Sequence, residues 1–350
     1  MSDHPYYNQE VHGPYELFDL GPFPLEEGGT LRGCQLAYTT VGELSDTRDN
    51  AILLLPWYAG TSKRLGQAYI GPGRALDPGK YFIILVNQLG SGLSTSPHNT
   101  PAPFGRASFP RVRTGDDVRA QERLVRERFG LDHLELVLGA SMGAQQAYEW
   151  TVRFPDMVKR AAPIAGTAKT TPHDLLYVET FSEAIRSDPA WRGGWYASAE
   201  DVHLGLRRHA RVWGLMGFST EFYKQAMWQG LGFSSLEDFL VGLLEGAFLP
   251  NDPNNLLCQA WKWQQSDVGR HSDGDLAAAL GRVKAKTFVL PVDEDMVIPI
   301  RDCEAEQRLI PGSELRVINS LWGHLALLGL DPSYTQQLDR HLGELLDKTV

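Results

Sequence analysis

The chain has 350 residues, 43% of them hydrophobic, which suits one large domain with an insertion or two domains. Asp and Glu number 43 against 33 Lys and Arg, and the formal charge of −10 argues against nucleic acid or an anionic membrane as the main partner. The start lacks the basic and apolar regions of a signal peptide, and no uncharged apolar run reaches about eighteen residues. We therefore expect a cytoplasmic protein that spans no membrane.

The cysteines give no sign of a disulfide or a metal site. Cys34, Cys258 and Cys303 are odd in number and scattered without metal-like spacing, which fits a reducing compartment. The sequence also has no paired His-x-x-x-His and no glycine-rich phosphate loop after a strand. We therefore predict no disulfide, no metal and no cofactor.

Taken in chain order, the predicted elements alternate between strands and helices. The alternating segment "LAYTTVGEL" predicts an antiparallel edge hairpin. Continuous apolar runs then predict buried strands, because such runs are covered on both faces of a sheet. The runs are "AILLLP", "YFIILVN", "LELVLG", "TFVLPV" and "ELRVI". An apolar stripe in "DDVRAQERLVRERFG" predicts a crossover helix that ends at Gly130. This order indicates an α/β fold with a mainly parallel sheet between helices.

A helical lid is predicted over residues 171–280, inserted into a core formed by residues 1–170 and 281–350. Strand-like runs vanish in this stretch, and six of the nine tryptophans fall in it. They are Trp191, Trp195, Trp213, Trp228, Trp261 and Trp263. We interpret the stretch as packed over the carboxyl edge of the sheet, where α/β proteins bind ligands. Most of these tryptophans are expected to form the core of the lid.

The segment "LELVLGASMGAQQAYEW" places Ser141 between Gly139 and Gly143. A predicted strand over residues 134–138 precedes the serine, and helical spacing of small and apolar residues follows it. A sharp turn in this context exposes a serine hydroxyl, and glycines let the strand and the helix approach closely. The start of the helix adds amide donors where an oxyanion would form. We therefore predict that Ser141 is a nucleophile rather than a turn residue.

A serine nucleophile needs a histidine to take its proton and a carboxylate to orient that histidine. His324 is the predicted base, because "INSLWGHLALLG" places it just past a late strand, in a loop that can return over the serine. For the acid, "FVLPVDEDMVIP" offers three residues after a strand. Asp295 is preferred because an acid four residues before a proline suits a loop that turns into a helix. Asp293 is the second choice, and Glu294 is expected to be a solvated neighbour.

The donors of an oxyanion hole are predicted to be backbone amides. One should come from the loop after an early strand, "LLLPWYAGTS", where the position favours Tyr58 and leaves Trp57 open. Met142, directly after the nucleophile, supplies the other. The aromatic side chains in this loop can equally well plug the edge of the sheet, because only their amides are needed.

These segments together resemble the α/β-hydrolase superfamily and, within it, the homoserine O-acetyltransferase-like family. The resemblance covers nearly the whole chain and is carried by motifs in a specific order. They are "LAYTTVGEL", "DDVRAQERLV", "LGASMGAQQAYEWTVRFPDMV", "EAIRSDPAWRGGWY", "DEDMVIP" and "GHLALLG". The resemblance implies a serine acyl-enzyme mechanism. It also implies a helical lid, which in such enzymes often mediates dimerisation, and hence a homodimer through the lid.

Two departures from the family pattern concern the substrate. Transacetylases of this family carry an arginine for the homoserine carboxylate and an acid for its amine, where this chain has Ser182 and Leu325. Burying a charge without its partner costs several kcal/mol, so homoserine would be held poorly. The leading hypothesis is therefore hydrolysis of a small short-chain ester, in particular an acetate. Acetyl transfer from acetyl-CoA to an alcohol is the alternative, and a catalytically silent binding protein is a third hypothesis.

Overall fold

The structure is a computed structural model that describes residues 4–349. Its centre is an eight-stranded sheet with the order β1-β2-β4-β3-β5-β6-β7-β8. The strands are β1 (Glu16–Pro24), β2 (Thr30–Val41), β3 (Ala51–Leu55), β4 (Phe82–Val86), β5 (Leu136–Ala140), β6 (Arg160–Ile164), β7 (Lys286–Val289) and β8 (Glu314–Leu315). The β1–β2 and β2–β4 pairs are antiparallel and all other pairs are parallel. The predicted α/β fold with a mainly parallel sheet is confirmed.

Helices cover both faces of this sheet and fill the stretch between β6 and β7. The α-helices are α1 (Gln9–His12), α2 (Ser62–Tyr69), α3 (Thr114–Arg123), α4 (Met142–Arg153), α5 (Pro172–Arg186), α6 (His203–Gly217), α7 (Thr220–Lys224), α8 (Leu236–Phe239), α9 (Gly246–Phe248), α10 (Pro253–Gln264), α11 (Leu276–Leu280), α12 (Ile300–Gln307) and α13 (Pro332–Leu346). Shorter 3-10 and π-helical turns cover Arg106–Ser108, Leu124–Arg128, Pro189–Gly194, Ala199–Val202, Met227–Leu231, Leu240–Glu245, Val268–Ser272 and Gly323–Leu328. Within residues 4–349, no helix is both long enough and apolar enough to cross a bilayer.

The central strands are buried along their whole length. Every residue of β3, β4 and β5 is buried, as their continuous apolar sequences predict. The strand β5 pairs in parallel with β3 on one side and β6 on the other, with Leu55 opposite Gly139 and Gly139 opposite Pro163. Because parallel strands end at the same edge, the loops after β3, β5, β7 and β8 meet there.

Two strands have no clear signal in the sequence. The segment "RAAPI" of β6 contains an arginine, a proline and two alanines, yet all five residues are buried between β5 and β7. The strand β1 pairs with β2 over a register that shifts twice, between Asp19 and Gly21 and between Gly21 and Phe23. Neighbouring strands supply the burial and the hydrogen bonds that define both elements, so tertiary context outweighs local propensity here.

The stretch predicted as a lid consists of helices and turns from α5 to α11, with one isolated bridge between Lys169 and Asp267. Trp213 and Trp263 are buried in it, 4% and 1% exposed, and belong to its core. Trp195 is 53% exposed and is therefore not a core residue. The expected tryptophan core is thus formed by only part of the set.

A buried ion pair joins this helical stretch to the sheet domain. Lys262 on α10 donates to the Asp117 carboxylate on α3 and, at 2.7 Å, to the Leu89 carbonyl. Both charged side chains are fully buried. Asp117 also accepts a hydrogen bond of 2.7 Å from the Leu89 backbone N–H. These contacts fix α10 against the loop after β4, because breaking them would leave a charge inside the protein.

Candidate active site

Ser141 lies at the sharp turn between β5 and α4. Its backbone has φ 56° and ψ −118°, a conformation that costs free energy for a residue with a side chain. The glycines on either side are required by space: a Cβ on Gly139 would lie 2.4 Å from the Gly143 carbonyl oxygen. A Cβ on Gly143 would lie 2.3 Å from the Leu55 carbonyl oxygen. The strand and helix therefore approach closely only through glycine, and the serine projects at the carboxyl edge.

The three residues predicted as a triad lie together at this edge. His324 Nε2 is 2.9 Å from Ser141 Oγ, and His324 Nδ1 is 2.6 Å from Asp295 Oδ2. All three residues are buried. An ionised carboxylate accepts hydrogen bonds only, so Nδ1 carries the proton and Nε2 is free to accept one from the serine hydroxyl. The arrangement allows a proton to pass from serine to histidine.

Asp295 is held by the backbone of its own loop. Its Oδ1 accepts 2.8 Å hydrogen bonds from the N–H groups of Val297 and Ile298. This leaves Oδ2 directed at the imidazole. The two amide donors keep the carboxylate in one orientation and stabilise its charge away from solvent.

The other two acids of the segment have different partners. Asp293 Oδ1 accepts hydrogen bonds of 2.8 Å from the Ser320 N–H and 2.9 Å from the Glu294 N–H. Asp293 therefore ties its own loop to the segment that precedes His324. Glu294 is exposed. Of the three, only Asp295 contacts the imidazole.

The two backbone amides predicted to bind an oxyanion belong to the residue directly after Ser141 and to the loop after β3. Met142 is the first residue of α4, so its N–H belongs to the helix end that has no intrahelical acceptor. Tyr58 lies in the loop after β3, and within residues 4–349 its N–H has no hydrogen-bond acceptor. Tyr58 and Ser141 line the same cavity. Both donors are thus available to a ligand.

Three glutamines that the sequence did not single out fix the Tyr58 loop. Gln88 and Gln146 donate to the Pro56 carbonyl at 3.0 Å and 3.3 Å. Gln259 on α10 accepts from the Ala59 N–H at 3.0 Å. Gln146 lies on the first turns of α4, close to the serine in the chain. This position is the single signal in the sequence that a glutamine could hold the Tyr58 loop. The other two come from distant elements and meet the loop only in the fold.

A cavity of about 460 Å³ opens onto Ser141 and His324. On one side its wall is aromatic, with Tyr58 and Trp213 stacked at a ring separation of 5.5 Å. The Trp213 ring lies 6.2 Å from the His324 ring. These rings form an apolar boundary close to the catalytic groups, and the lower local dielectric strengthens electrostatic interactions there.

A buried histidine of the helical stretch supports the Tyr58 side chain. His209 Nε2 lies 3.4 Å from the Tyr58 hydroxyl, and His209 Nδ1 lies 3.1 Å from the Phe181 carbonyl oxygen. Burial lowers the pKa of His209 to about 4, so the ring is neutral at neutral pH. The Phe181 carbonyl oxygen only accepts, so the proton of the neutral ring lies on Nδ1 and Nε2 is an acceptor. The Tyr58 hydroxyl, which is also 3.3 Å from the Leu256 carbonyl oxygen, shares its one proton between these two acceptors.

The two positions where the family pattern has charged residues are neutral and differently placed. Ser182 is buried, and its hydroxyl has no hydrogen-bond partner within residues 4–349. Leu325 lines the cavity next to His324 and packs against Gly217. Neither side chain carries a charge that could form an ion pair with the carboxylate or the ammonium group of an amino acid.

Comparison with known proteins agrees with the fold. Residues 50–329 match the family described as alpha/beta hydrolase fold. An ethyl acetate hydrolase from Pseudomonas veronii is 53% identical over 341 residues, 97% of this chain and 98% of the relative. The structure of an acetylester hydrolase from Corynebacterium glutamicum superimposes with a TM-score of 0.98 at 55% identity, covering 99% of this chain and 100% of the other. A homoserine O-acetyltransferase from Thermobifida fusca is 33% identical over 330 residues, 87% of this chain and 86% of the relative.

Proposed function

The chain belongs to the alpha/beta hydrolase fold family, and on this premise we propose that it hydrolyses short-chain carboxylic esters, above all acetates. The observation that carries the proposal is the buried chain of hydrogen bonds from Asp295 through His324 to Ser141, which ends in a cavity. The likeness to an ethyl acetate hydrolase over nearly the full length of both chains supports acetate as the acyl group. The protein is a serine esterase.

In the first half of the proposed reaction, Ser141 Oγ attacks the ester carbonyl carbon while His324 Nε2 takes the serine proton. Asp295 keeps the imidazole oriented and stabilises its positive charge. The carbonyl oxygen becomes an oxyanion, which the N–H groups of Tyr58 and Met142 bind. The tetrahedral intermediate then expels the alkoxy group, which takes the proton from His324 and leaves as the alcohol. The acetyl group remains on Ser141.

In the second half, water replaces the alcohol beside His324. His324 takes one water proton, the hydroxide oxygen attacks the acetyl carbon, and the bond to Ser141 Oγ breaks. The serine recovers its proton from His324, and acetic acid leaves. The cycle needs no group other than the substrate, water and these side chains.

The neutral residues Ser182 and Leu325 favour water over homoserine as the acceptor. An amino acid would bring a carboxylate and an ammonium group into a buried site that offers neither of them a partner at these positions. We therefore expect hydrolysis of ethyl acetate without any added alcohol. Incubation with acetyl-CoA and homoserine tests the alternative, because release of CoA that depends on homoserine would identify a transferase.

The role of Ser141 as the nucleophile is tested by Ser141→Ala. We expect kcat on ethyl acetate to fall by roughly 10⁴-fold or more, because the acyl-enzyme cannot form. Ser187→Ala is a matched control, since this serine is exposed on the helical stretch and is expected to leave kcat unchanged. Mass spectrometry of the intact protein during turnover measures the acetyl adduct directly. Full activity in Ser141→Ala would refute the mechanism.

We further propose that the protein acts in a reducing compartment such as the cytoplasm. Cys34, Cys258 and Cys303 are all free thiols in the structure. Cys34 and Cys303 are buried, and burial raises the pKa of both thiols, which makes them poor nucleophiles and poor partners for exchange. Their state in freshly isolated protein, measured by alkylation before and after denaturation, tests this proposal.

A further inference from the structure

The catalytic cavity extends well beyond the serine, along the chain that follows His324. Leu325, Leu327 and Leu328 line it, as does Leu330, which is 46% exposed. Leu243, Leu244 and Ala247 of the helical stretch line the same cavity. The cavity thus includes a leucine-walled passage from His324 to solvent, which we call the leucine channel.

The chemistry of the site decides which part of an ester enters this channel. The leaving alcohol must take its proton from His324 Nε2, so its oxygen lies within hydrogen-bond reach of that atom. The carbon atoms attached to this oxygen then continue along the wall that directly follows His324. The acyl methyl group is attached to the other side of the carbonyl carbon from the leaving oxygen.

The size of the cavity exceeds the needs of a small ester. Its volume of about 460 Å³ lies within the roughly 300–1,000 Å³ typical of sites for drug-sized ligands. Ethyl acetate has six non-hydrogen atoms and leaves much of this space to water. A longer apolar chain would displace that water from leucine side chains, which is favourable.

The polar and charged side chains that line the cavity indicate which kind of substrate group can bind there. Besides Ser141, His324 and the aromatic residues, the cavity is lined by two polar side chains. They are Arg64 and Gln67 on α2. Arg64 is half-buried and donates to the Tyr6 hydroxyl at 3.3 Å. The other side chains of the channel are mainly leucines, so a charged group placed among them would be buried without a partner.

We infer that the leucine channel binds the alcohol portion of the substrate, and that this portion is an uncharged unbranched alkyl chain longer than ethyl, of about four to six carbons. The inference rests on the proposed function, because it takes from it the direction of proton transfer. It assigns the substrate class as medium-chain alkyl acetates. Leu243, Ala247 and Leu328 then determine the length of alcohol that is accepted.

Pairs of isomeric esters test the assignment. Butyl acetate and ethyl butanoate have the same formula, as do hexyl acetate and ethyl hexanoate, so overall hydrophobicity is matched within each pair. A buried methylene contributes about 0.8 kcal/mol, which is about three- to fourfold in kcat/KM. We expect kcat/KM to rise about tenfold from ethyl acetate to butyl acetate, and to fall along the ethanoate, butanoate and hexanoate series of ethyl esters.

A variant that narrows the channel locates the effect. Ala247→Leu adds volume to the half-buried side chain on α9 and should lower the hexyl acetate to ethyl acetate ratio of kcat/KM at least fivefold. Ala278→Leu is the matched control, since Ala278 is exposed on α11 outside the cavity and should leave the ratio unchanged.

The possible outcomes separate the two levels of the proposal. If no ester is hydrolysed, or if Ser141→Ala keeps full activity, the proposed function fails. If ethyl acetate is hydrolysed by Ser141 but butyl acetate is no better a substrate, the channel assignment alone is overturned. Faster hydrolysis of ethyl hexanoate than of hexyl acetate would place the acyl chain in the channel and would also overturn it.

Discussion

Asp293 and Asp295 are chemically identical and two residues apart, yet the backbone gives them different tasks. Asp295 is buried, accepts from two amides of its own loop and directs its second oxygen at His324. Asp293 accepts from the Ser320 amide and so stabilises the segment leading to the histidine. The difference comes from the turn of the loop into α12, not from any property of the side chains.

This difference can be measured by changing each carboxylate to an amide. We expect Asp295→Asn to lower kcat by roughly 10³- to 10⁴-fold, because the amide no longer stabilises the charged imidazole or fixes its tautomer. Asp293→Asn should keep kcat within a few-fold and lower the free energy of unfolding by about 1 kcal/mol through a weakened hydrogen bond. Ester hydrolysis assays and urea denaturation of both variants provide the measurements. Equal losses of kcat in the two variants would contradict this division of roles.

Among individual residues, the sequence predicts functional residues that directly follow a strand. It misses residues whose role depends on contacts between several elements. Ser141 and His324 could be named because each lies in a short motif just past a strand, and the structure brings both together with Asp295. The support of the Tyr58 loop could not be named. Gln88 and Gln259 reach it from loops and helices far away in the chain, and no local pattern marks them.

Among the elements, continuous apolar runs identified β3, β4 and β5, because a strand that is buried on both faces has apolar residues at every position. The strand β6 escaped because its burial is imposed by its neighbours β5 and β7. The strand β8 is shorter than the run "ELRVI" predicts, because it covers only Glu314–Leu315. Beyond it, Ile318 forms an isolated bridge with Val292. Edge strands have one partner only, so propensity alone does not fix their length.

The attachment of α10 to α3 predicts a large cost for removing one charge of the buried pair. Lys262→Met leaves the Asp117 carboxylate in the interior without its cation, although burial already raises the pKa of this carboxyl. We expect a loss of about 3–5 kcal/mol in the free energy of unfolding, measured by urea denaturation. The double variant Lys262→Met with Asp117→Asn should recover part of it, because no uncompensated charge remains.

A surface pair provides the control for that experiment. Lys224 and Glu221 form an exposed ion pair on α7 with a separation of 2.6 Å, and Lys224→Met should not change stability measurably. A small effect of Lys262→Met, comparable to that of Lys224→Met, would show that the buried pair is not what holds α10 in place.

For the whole molecule, the order of strands and helices was sufficient to predict the α/β class. The helical stretch between β6 and β7 covers the carboxyl edge of the sheet.

The homodimer implied by the family resemblance stays a prediction. Exposed leucines of the helical stretch, Leu176 and Leu215 at 68% and Leu204 at 46%, are where it would form. Light scattering coupled to gel filtration measures the mass, and a mass of one chain would contradict the dimer.

Buried ionisable groups spread over the molecule set how its stability depends on pH. Burial is the largest cause that lowers the pKa of His12, His98 and His209, each to about 4. Burial also raises the pKa of Glu306 to about 8, although its carboxylate accepts from two backbone amides. The histidines and the glutamate therefore act in opposite directions as the pH changes.

The directions of these four pKa shifts predict that the free energy of unfolding is highest close to pH 6.5. Below that value an unfolded histidine is protonated while the folded ones stay neutral down to about pH 4, so stability is lost as the pH falls. Above about pH 4.5 unfolded Glu306 is ionised while folded Glu306 keeps its proton up to about pH 8, so its contribution is lost as the pH rises. Among these four groups, the three histidines outweigh the glutamate between pH 4.5 and 6.5, and above that range the glutamate alone of the four still titrates. Urea midpoints measured from pH 4.5 to 8 should therefore pass through a maximum, and Glu306→Gln should flatten the fall on the alkaline side and steepen the rise on the acid side. A midpoint that rises steadily up to pH 8 would contradict the assignment of Glu306.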